Sequence, residues 1–454
     1  MIHDRGHVVS HEPWQLLDQL RGWPGRTGDL IALVAGLLYA EVVASEAETV
    51  ASFARSQPAQ DIAADQLSSL IRNRLGGDRL FAPVTDVFDR LIRESPRSLL
   101  AIVLDWLRGL DIVTPDGRAA ASDALELLVI AFAEREQLGE YYTPVWIAEF
   151  MAALADIQPG QTVCDPCFGM GGLLAAATRR LASGLLDRSR VGLPSPSQPF
   201  LPWQGADRQP DIFGAEINVH AYLVGLARVV LAGGQPELLL GDALANWQAL
   251  SPVGMQRFDC VLVNPPWGSR SPAVEPTDLP VPTRSVEGQF VQRALLSLKP
   301  GGRAVIATSM GLLFRSGAEA RIRRWISSEY CLEGILSLPR GAFRPFAGTQ
   351  GSILVIRKAR PASTVRVMDV PRPGVERVFA SLRISSACVQ TQSKSLPNFV
   401  RTLPLPSHAF PQEASSAARG PSYRCAHTHW TSSLASYVDS TQPCRCNHCE
   451  RSRV

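Results

Sequence analysis

Asn264-Pro265-Pro266-Trp267 follows directly on the apolar run Phe258-Asp259-Cys260-Val261-Leu262-Val263. A short apolar run bounded by turn residues reads as a buried strand, which puts Asn264 at a strand's carboxyl end, the edge at which ligands bind in an open parallel sheet. The side-chain oxygen of Asn264 and the carbonyl of Pro265 can each accept a hydrogen from an NH2 group, aiming its nitrogen lone pair at an electrophile. Prolines 265 and 266 hold that carbonyl in place, and Trp267 offers a flat face on which a base swung out of a duplex can stack. The plainer alternative is a proline turn capped by a core tryptophan.

A second constellation, Cys164-Asp165-Pro166-Cys167-Phe168-Gly169-Met170-Gly171-Gly172, follows a strand expected to end at Cys164 and leads into a helix over residues 173–181. Gly169 and Gly171 let the backbone approach a ligand closely, while Asp165 can accept hydrogen bonds from a cationic amine such as that of methionine. Two more acids end apolar runs. Glu216, after residues 212–215, can take both hydroxyls of a ribose, and Asp242, in Gly241-Asp242-Ala243-Leu244 after residues 238–240, can accept from an adenine amine. Each alone is an ordinary polar strand terminus or strand-to-helix turn; their order and spacing point to a nucleoside-bearing cofactor with a cationic amine.

Metal and charge readings are weaker. Cys444, Cys446 and Cys449, with His448, His427, His429 and Cys425 nearby, supply enough soft ligands for one zinc, but the spacing is irregular and no turn or apolar signal flanks them. No metal site is assigned. Cys164 and Cys167 have CxxC spacing but bracket Asp165 inside the proposed cofactor loop. Arg321-Ile322-Arg323-Arg324 can meet phosphates, although a solvated helix face explains it as well. The 45 Lys and Arg against 42 Asp and Glu give a net charge of +3, so any polyanion-binding surface is local rather than global.

The elements that position these residues divide the chain in three. From about Trp14 to Glu136 apolar residues recur at three- and four-residue spacing, notably over 30–43, 84–92, 99–107 and 124–133, separated by polar breaks at Ser56-Gln57-Pro58 and Thr114-Pro115-Asp116-Gly117. Residues 1–136 are therefore expected to form a helical domain. The most apolar stretch, 30–40, is far shorter than the roughly 20 residues that cross a bilayer, and no basic-then-apolar leader opens the chain, so a cytoplasmic protein with no membrane contact is expected. Beyond Pro144 short apolar runs over 162–164, 212–215, 238–240, 258–263, 304–307, 332–338 and 352–356 alternate with helical segments. This is the pattern of an α/β, doubly wound, mostly parallel sheet, assigned to residues 137–360, with proline-rich surface excursions over 183–210 and 269–284. Residues 361–454 read as an irregular tail, disordered from about 385, where Ser, Pro, Thr, His and Cys replace any periodicity.

Taken together, these residues resemble the amino-methyltransferases of DNA, and most of all the modification (methylase) subunits of type I restriction-modification systems. The resemblance covers about Trp14 to Lys358. It extends to Leu138-Gly139-Glu140-Tyr141-Tyr142-Thr143-Pro144 before the glycine loop, to Leu298-Lys299-Pro300-Gly301-Gly302-Arg303-Ala304-Val305, and to Gly311–Glu319, Arg321–Trp325, Leu338-Pro339 and Ser352–Val355. Trp267 stands where that family more usually has Phe, and Thr308-Ser309-Met310 replaces a segment that commonly contains proline. The resemblance implies a class I, Rossmann-like methyltransferase fold. It implies S-adenosylmethionine as cofactor, with Tyr142, Thr143 and Pro144 helping to hold the methionine end, and Asp165, Gly169, Gly171, Glu216 and Asp242 the rest. It also implies transfer of a methyl group to the exocyclic N6 amine of adenine in double-stranded DNA, with Asn264, Pro265, Pro266 and Trp267 at the reacting centre. Because no foldable target-recognition region follows Arg360, the resemblance further implies a separate specificity subunit and leaves room for a restriction subunit. Two competitors stay open: a methyltransferase acting on a protein glutamine or on RNA, and a degenerate assembly or DNA-binding subunit of a defence complex.

Overall fold

A computed structural model describes residues 13–20, 25–43, 49–56, 58–112, 114–133, 142–188, 211–251, 256–271, 276–343, 350–370 and 400–404. The first part is all helix: α1 Pro13–Leu20, α2 Thr27–Val43, α3 Val50–Arg55, α4 Ala64–Leu75, α5 Thr85–Glu94, α6 Arg97–Arg108 and α7 Pro115–Ala133. Of these, α2 is apolar all round, and a helix of that kind must be enclosed on every side. Its residues from Leu30 to Glu41 are all buried, and Phe88 of α5 lies so close that a Cβ on Gly36 would fall 2.0 Å from its ring. The expected break at Thr114–Gly117 is instead the start of α7. Thr114 Oγ1 accepts from Gly117 N at 3.1 Å, and proline in the first turn gives up an N–H that has no helical partner there. Sequence spacing also passed over α4, whose buried Leu67, Ile71 and Leu75 sit on an otherwise polar segment.

The sheet follows, threaded by α8 Val145–Ala155, β1 Val163–Asp165, α9 Gly172–Arg188, β2 Ile212–Glu216, α10 Val219–Leu231, β3 Pro236–Leu240, α11 Trp247–Leu250, β4 Phe258–Val263, α12 Val286–Leu296 and β5 Leu298–Ser309. It continues through α13 Met310–Phe314, α14 Ala318–Glu329, β6 Cys331–Ser337, β7 Gly351–Arg357, β8 Thr364–Asp369 and β9 Val400–Pro404. Strand order is β3-β2-β1-β4-β5-β7-β6-β8-β9. The strands from β3 to β5 are parallel, β7 runs antiparallel between β5 and β6, and β6 thus points the same way as β5. The strand order reverses between β1 and β4, which opens a crevice at their carboxyl ends.

Both sheet faces are covered, which is why β4 reads as continuously apolar from Cys260 to Val263, after Asp259 near its start. Successive residues still alternate: Cys260 and Leu262 join one buried cluster, Val261 and Val263 the other. The first cluster runs without interruption from the sheet through α8, α9 and α10 into α2 and α5 to α7, so the helical segment and one face of the sheet share a core. The boundary expected at residues 136 and 137 lies outside the described residues, as do 189–210 of the first proline-rich excursion; residues 183–188 belong to α9 instead. Within the second excursion an Arg270–Ser285 bridge ties the segment's two ends.

The expectation of an irregular segment from 361 is corrected at two places. Strand β8 pairs with β6 and buries Val365 and Val367, and β9 pairs with β8. Alternation in β8 is confined to Val365-Arg366-Val367 and is broken by the buried Met368, so the two-residue period is too short to stand out in the sequence. Residues 371–399 and 405–454, including the cysteine- and histidine-rich stretch, lie outside the described residues. Among the described residues no helix is long and apolar enough to cross a membrane, and no group of three or more His, Cys, Asp or Glu could hold a metal ion.

Candidate active site

Asp165 ends β1 and Glu216 ends β2, side by side on adjacent parallel strands. Between them the chain turns through Phe168-Gly169-Met170-Gly171. Phe168 N donates to Ala215 O at 3.1 Å, Gly169 N to Glu216 Oε2 at 2.9 Å, and Gly171 N to Phe168 O at 2.8 Å. Glycine is required here on two counts. Gly169 and Gly171 have φ of 55° and 75°, which an L side chain resists. A Cβ on Gly171 would also stand 2.5 Å from the Cα of Gly225 in α10. Glu216 accepts from Asn218 N through Oε1 at 2.7 Å, and burial raises its pKa. The N–H of Ile217 adds a third backbone donor, and a carboxylate with about four acceptor sites still has capacity for a further one.

Asp165 is 1% exposed. Burial, reinforced by the charge of Glu216 and only partly offset by the N–H of Cys167, pushes its pKa up to about 8. Asp242, past the end of β3, is exposed and caps its own turn by accepting from Leu244 N at 2.8 Å. Gly241 N donates to Glu216 O at 2.8 Å, which locks the two strand ends together.

Asn264 leaves β4 across the strand-order reversal from Asp165. Its Nδ2 donates to Thr143 Oγ1 at 3.1 Å, and its backbone carbonyl accepts from Cys167 Sγ at 3.7 Å. The Oδ1 of Asn264 and the carbonyl of Pro265 accept no hydrogen bond among the described residues, so both expected acceptors are available. Thr143 in turn lies against the loop, with its carbonyl 3.4 Å from where a Cβ of Gly172 would be. Pro144 caps α8, accepting from Ile147 N and Ala148 N at 2.9 and 3.0 Å. Tyr142 is buried beside them, and Leu138 to Tyr141 lie outside the described residues.

Trp267 is half-buried, edge-to-face with Phe343 at 4.7 Å between ring centroids. A Cβ on Gly351 would come within 2.6 Å of the indole and 2.9 Å of Phe343, so the bare backbone of β7 is the shelf on which Trp267 sits. Its Nε1 is buried with no hydrogen-bond partner among the described residues. Behind it, Glu287 accepts from Ser309 N and Oγ at 2.6 and 2.8 Å and from Thr308 Oγ1 at 2.5 Å, fixing the end of β5.

Asp165, Gly169, Gly171, Glu216 and Asn264 thus gather at the carboxyl ends of β1, β2 and β4, with Thr143 and Pro144 reaching them from the start of α8, while Asp242 and Pro266 are exposed and Asp242 caps only its own turn. Sequence reasoning missed Phe343, Gly351 and Ile217. Ile217 is 64% exposed immediately after Glu216, and an isolated aliphatic on the ligand edge is legible only once the strand end is placed. Ile217→Ser should weaken cofactor binding about tenfold, the cost of removing one apolar side chain from a ring face, without lowering the melting temperature; calorimetric titration of wild type and variant measures both halves.

Strand order, the glycine turn after β1 and the acid at the end of β2 define a class I S-adenosylmethionine-dependent methyltransferase fold. The model of the N-6 DNA Methylase family matches residues 117–383, and the chain belongs to that family. It is 25% identical to the EcoEI type I restriction enzyme methylase subunit of Escherichia coli, over 61% of this chain and 54% of that one. It is 26% identical to the StySPI methylase subunit of Salmonella potsdam, over 77% and 67%. The chain spans about half the length of most of the curated relatives it matches. Among solved structures it shares its fold with a modification subunit of a putative type I restriction enzyme from Vibrio vulnificus, with a TM-score of 0.58, 20% identity, and 86% and 90% of the two chains covered.

Proposed function

We propose that this chain binds S-adenosylmethionine and methylates the N6 amine of adenine in double-stranded DNA, as the modification subunit of a restriction-modification assembly. The observation that carries this reading is that Asn264 Oδ1 and Pro265 O, which accept no hydrogen bond among the described residues, lie across the strand-order reversal from the Gly169–Gly171 cradle. The residues fit the cofactor. Backbone without Cβ atoms lines the cradle, Glu216 offers spare lone pairs to ribose hydroxyls, Ile217 offers an apolar surface to the purine, and Asp165 with Tyr142, Thr143 and Pro144 surrounds the place for an amino acid end. When bound, S-adenosylmethionine supplies a methyl group on a cationic sulfur.

The chain's own residues then orient the acceptor. Asn264 Oδ1 and Pro265 O take the two amine hydrogens, which turns the nitrogen lone pair away from the base plane and concentrates it for attack. Trp267, braced by Phe343, stacks on the base once it has left the duplex. Orientation suffices for the attack, and the proton that the methylated nitrogen must then shed passes along its hydrogen bonds to Asn264 Oδ1 or Pro265 O and on to water, so no side chain with a shifted pKa is needed as general base.

Exposed Arg270, Arg284, Arg315 and Arg340 follow β4, β5 and β6 at this same edge; acids among the described residues of these connections include Glu287, bonded to Thr308 and Ser309, Asp278, paired with Arg293, and Glu319. That cationic rim suits phosphates flanking an extruded base. Replacing Arg315 and Arg340 together with alanine should flatten the logarithmic salt dependence of duplex binding by roughly two, at about 0.9 for each phosphate no longer neutralised; anisotropy titrations over a salt series read the slope.

A separate specificity subunit supplies target choice in this reading. The test is transfer of a labelled methyl group from S-adenosylmethionine to duplex DNA, RNA or polypeptide, with and without the protein encoded beside this one. Label on DNA that depends on the neighbour supports the reading. Label on RNA or polypeptide alone overturns it, and cofactor binding without transfer to any acceptor favours the assembly-subunit alternative.

A further inference from the structure

Helix α10 is the floor of the glycine loop. It begins at Asn218, whose Oδ1 accepts from His220 N and Ala221 N, two residues after Glu216. Gly225 receives the backbone of Gly171 at a distance no side chain would allow, and a Cβ there would stand 2.5 Å from Phe168. One turn further, Arg228 is buried, with a side chain only 5% exposed. Its Nη1 donates to the carbonyl of Met170, inside the loop, at 2.9 Å, and lies 3.7 Å from where a Cβ of Gly172 would be. Its Nη2 pairs with Glu126 Oε2 on α7.

Other residues of α10 are fastened to the amino-terminal segment as well, Tyr222 while its ring also packs on Phe168 of the loop. His220 Nε2 meets Asp29 of α2 at 3.0 Å, and the Tyr222 hydroxyl donates to Leu80 O at 2.9 Å. None of these residues touches the expected reacting atoms. A buried guanidinium that reaches a loop carbonyl with one nitrogen and a distant helix with another fixes both, because its planar fork cannot satisfy either partner from a different position.

We propose that Arg228 is the positioning residue of the cofactor loop, and that through Glu126 it makes the loop's shape, and with it the affinity for S-adenosylmethionine, depend on helix α7. The inference rests on the cofactor reading above and extends it to residues outside the cleft. Packing of the helical layer is then felt at the Met170 carbonyl without any contact between α7 and the ligand.

The test combines S-adenosylhomocysteine binding with amide exchange in the cofactor-free full chain for wild type, Glu126→Gln, Arg228→Lys and Arg228→Met. Arg228→Met is expected to weaken binding about tenfold, to speed exchange at residues 169–172, and to leave turnover at saturating cofactor within about twofold. Arg228→Lys, which keeps a donor for Met170 but not the fork, should recover part of the affinity. Glu126→Gln, which keeps every carbon and loses only charge, should weaken binding roughly threefold; it decides the matter should Arg228→Met not fold, because loss of a buried pair's partner is severe. Wild-type affinity and wild-type exchange at 169–172 in the folded variants, with only a lower melting temperature, would overturn the proposal and leave Arg228 a structural strut. Failure of the wild-type chain itself to bind S-adenosylhomocysteine would instead bring down the cofactor reading.

Discussion

Replacement of Asn264 by alanine should lower methyl transfer by about 10²- to 10³-fold at saturating cofactor, the loss expected when one preorganised dipole at the reacting atom is removed. The amide is held by Thr143 Oγ1 through Nδ2, which leaves Oδ1 as the only side-chain acceptor that this residue presents to an incoming amine. Alanine removes that acceptor and the tether together. Asn264→Asp keeps an acceptor oxygen, and the Thr143 hydroxyl can turn to donate to it, so it should lose only about tenfold in turnover. Affinity for S-adenosylhomocysteine should stay within about a factor of three in both, since the cradle between β1 and β2 is untouched. Single-turnover rates with equilibrium binding separate the two effects; equal loss of binding and rate would place Asn264 in the cofactor pocket instead.

Asp165→Asn should have the second large effect, and its two halves point in opposite directions. In the cofactor-free chain the Asp165 carboxyl is buried beside Glu216 and titrates near 8, so at neutral pH it is mostly protonated. The folded state therefore holds this proton to higher pH than the unfolded chain does. The resulting stabilisation is complete in acid and is lost as pH rises from the ordinary carboxylate range through about 8. Asparagine imitates the protonated form and can still accept from Cys167 N, so the variant should melt a few degrees higher at pH 8 and lose the pH dependence that Asp165 contributes.

Binding runs the other way. A cationic amine selects the carboxylate and displaces the proton, so wild-type cofactor affinity should rise with pH up to about 8. Asp165→Asn should flatten that rise and weaken binding about a hundredfold above pH 8, as expected for an unpaired buried ammonium. Titrations from pH 6 to 9 check this, and an unchanged profile in the variant would remove Asp165 from the amine site.

Residues that end strands were legible in the sequence because an apolar run followed by a polar residue marks a carboxyl edge, and Asp165, Glu216, Asp242 and Asn264 all carry that mark. Pairings between distant parts of the chain were not. Thr143 and Asn264 are 121 positions apart, Glu126 and Arg228 are 102, and no local pattern predicts which hydroxyl or carboxylate will meet them. Arg228 reads locally as one polar residue in an apolar helix. Ile217 and Gly351 have no signal of their own, since their roles come from where β2 and β7 end and begin. The helical segment was legible as helices but not as a layer sharing its core with α10, because periodicity reports that a face is apolar and not what covers it.

The most direct test of the central claim is the identity of the methylated atom. Duplex DNA incubated with S-adenosylmethionine, this chain and the protein encoded beside it is digested to nucleosides and resolved by mass spectrometry, with Asn264→Ala alongside. N6-methyldeoxyadenosine formed by wild type and reduced at least a hundredfold in the variant is the expected result; methylated deoxycytidine, or N6-methyldeoxyadenosine formed equally by both proteins, would contradict it.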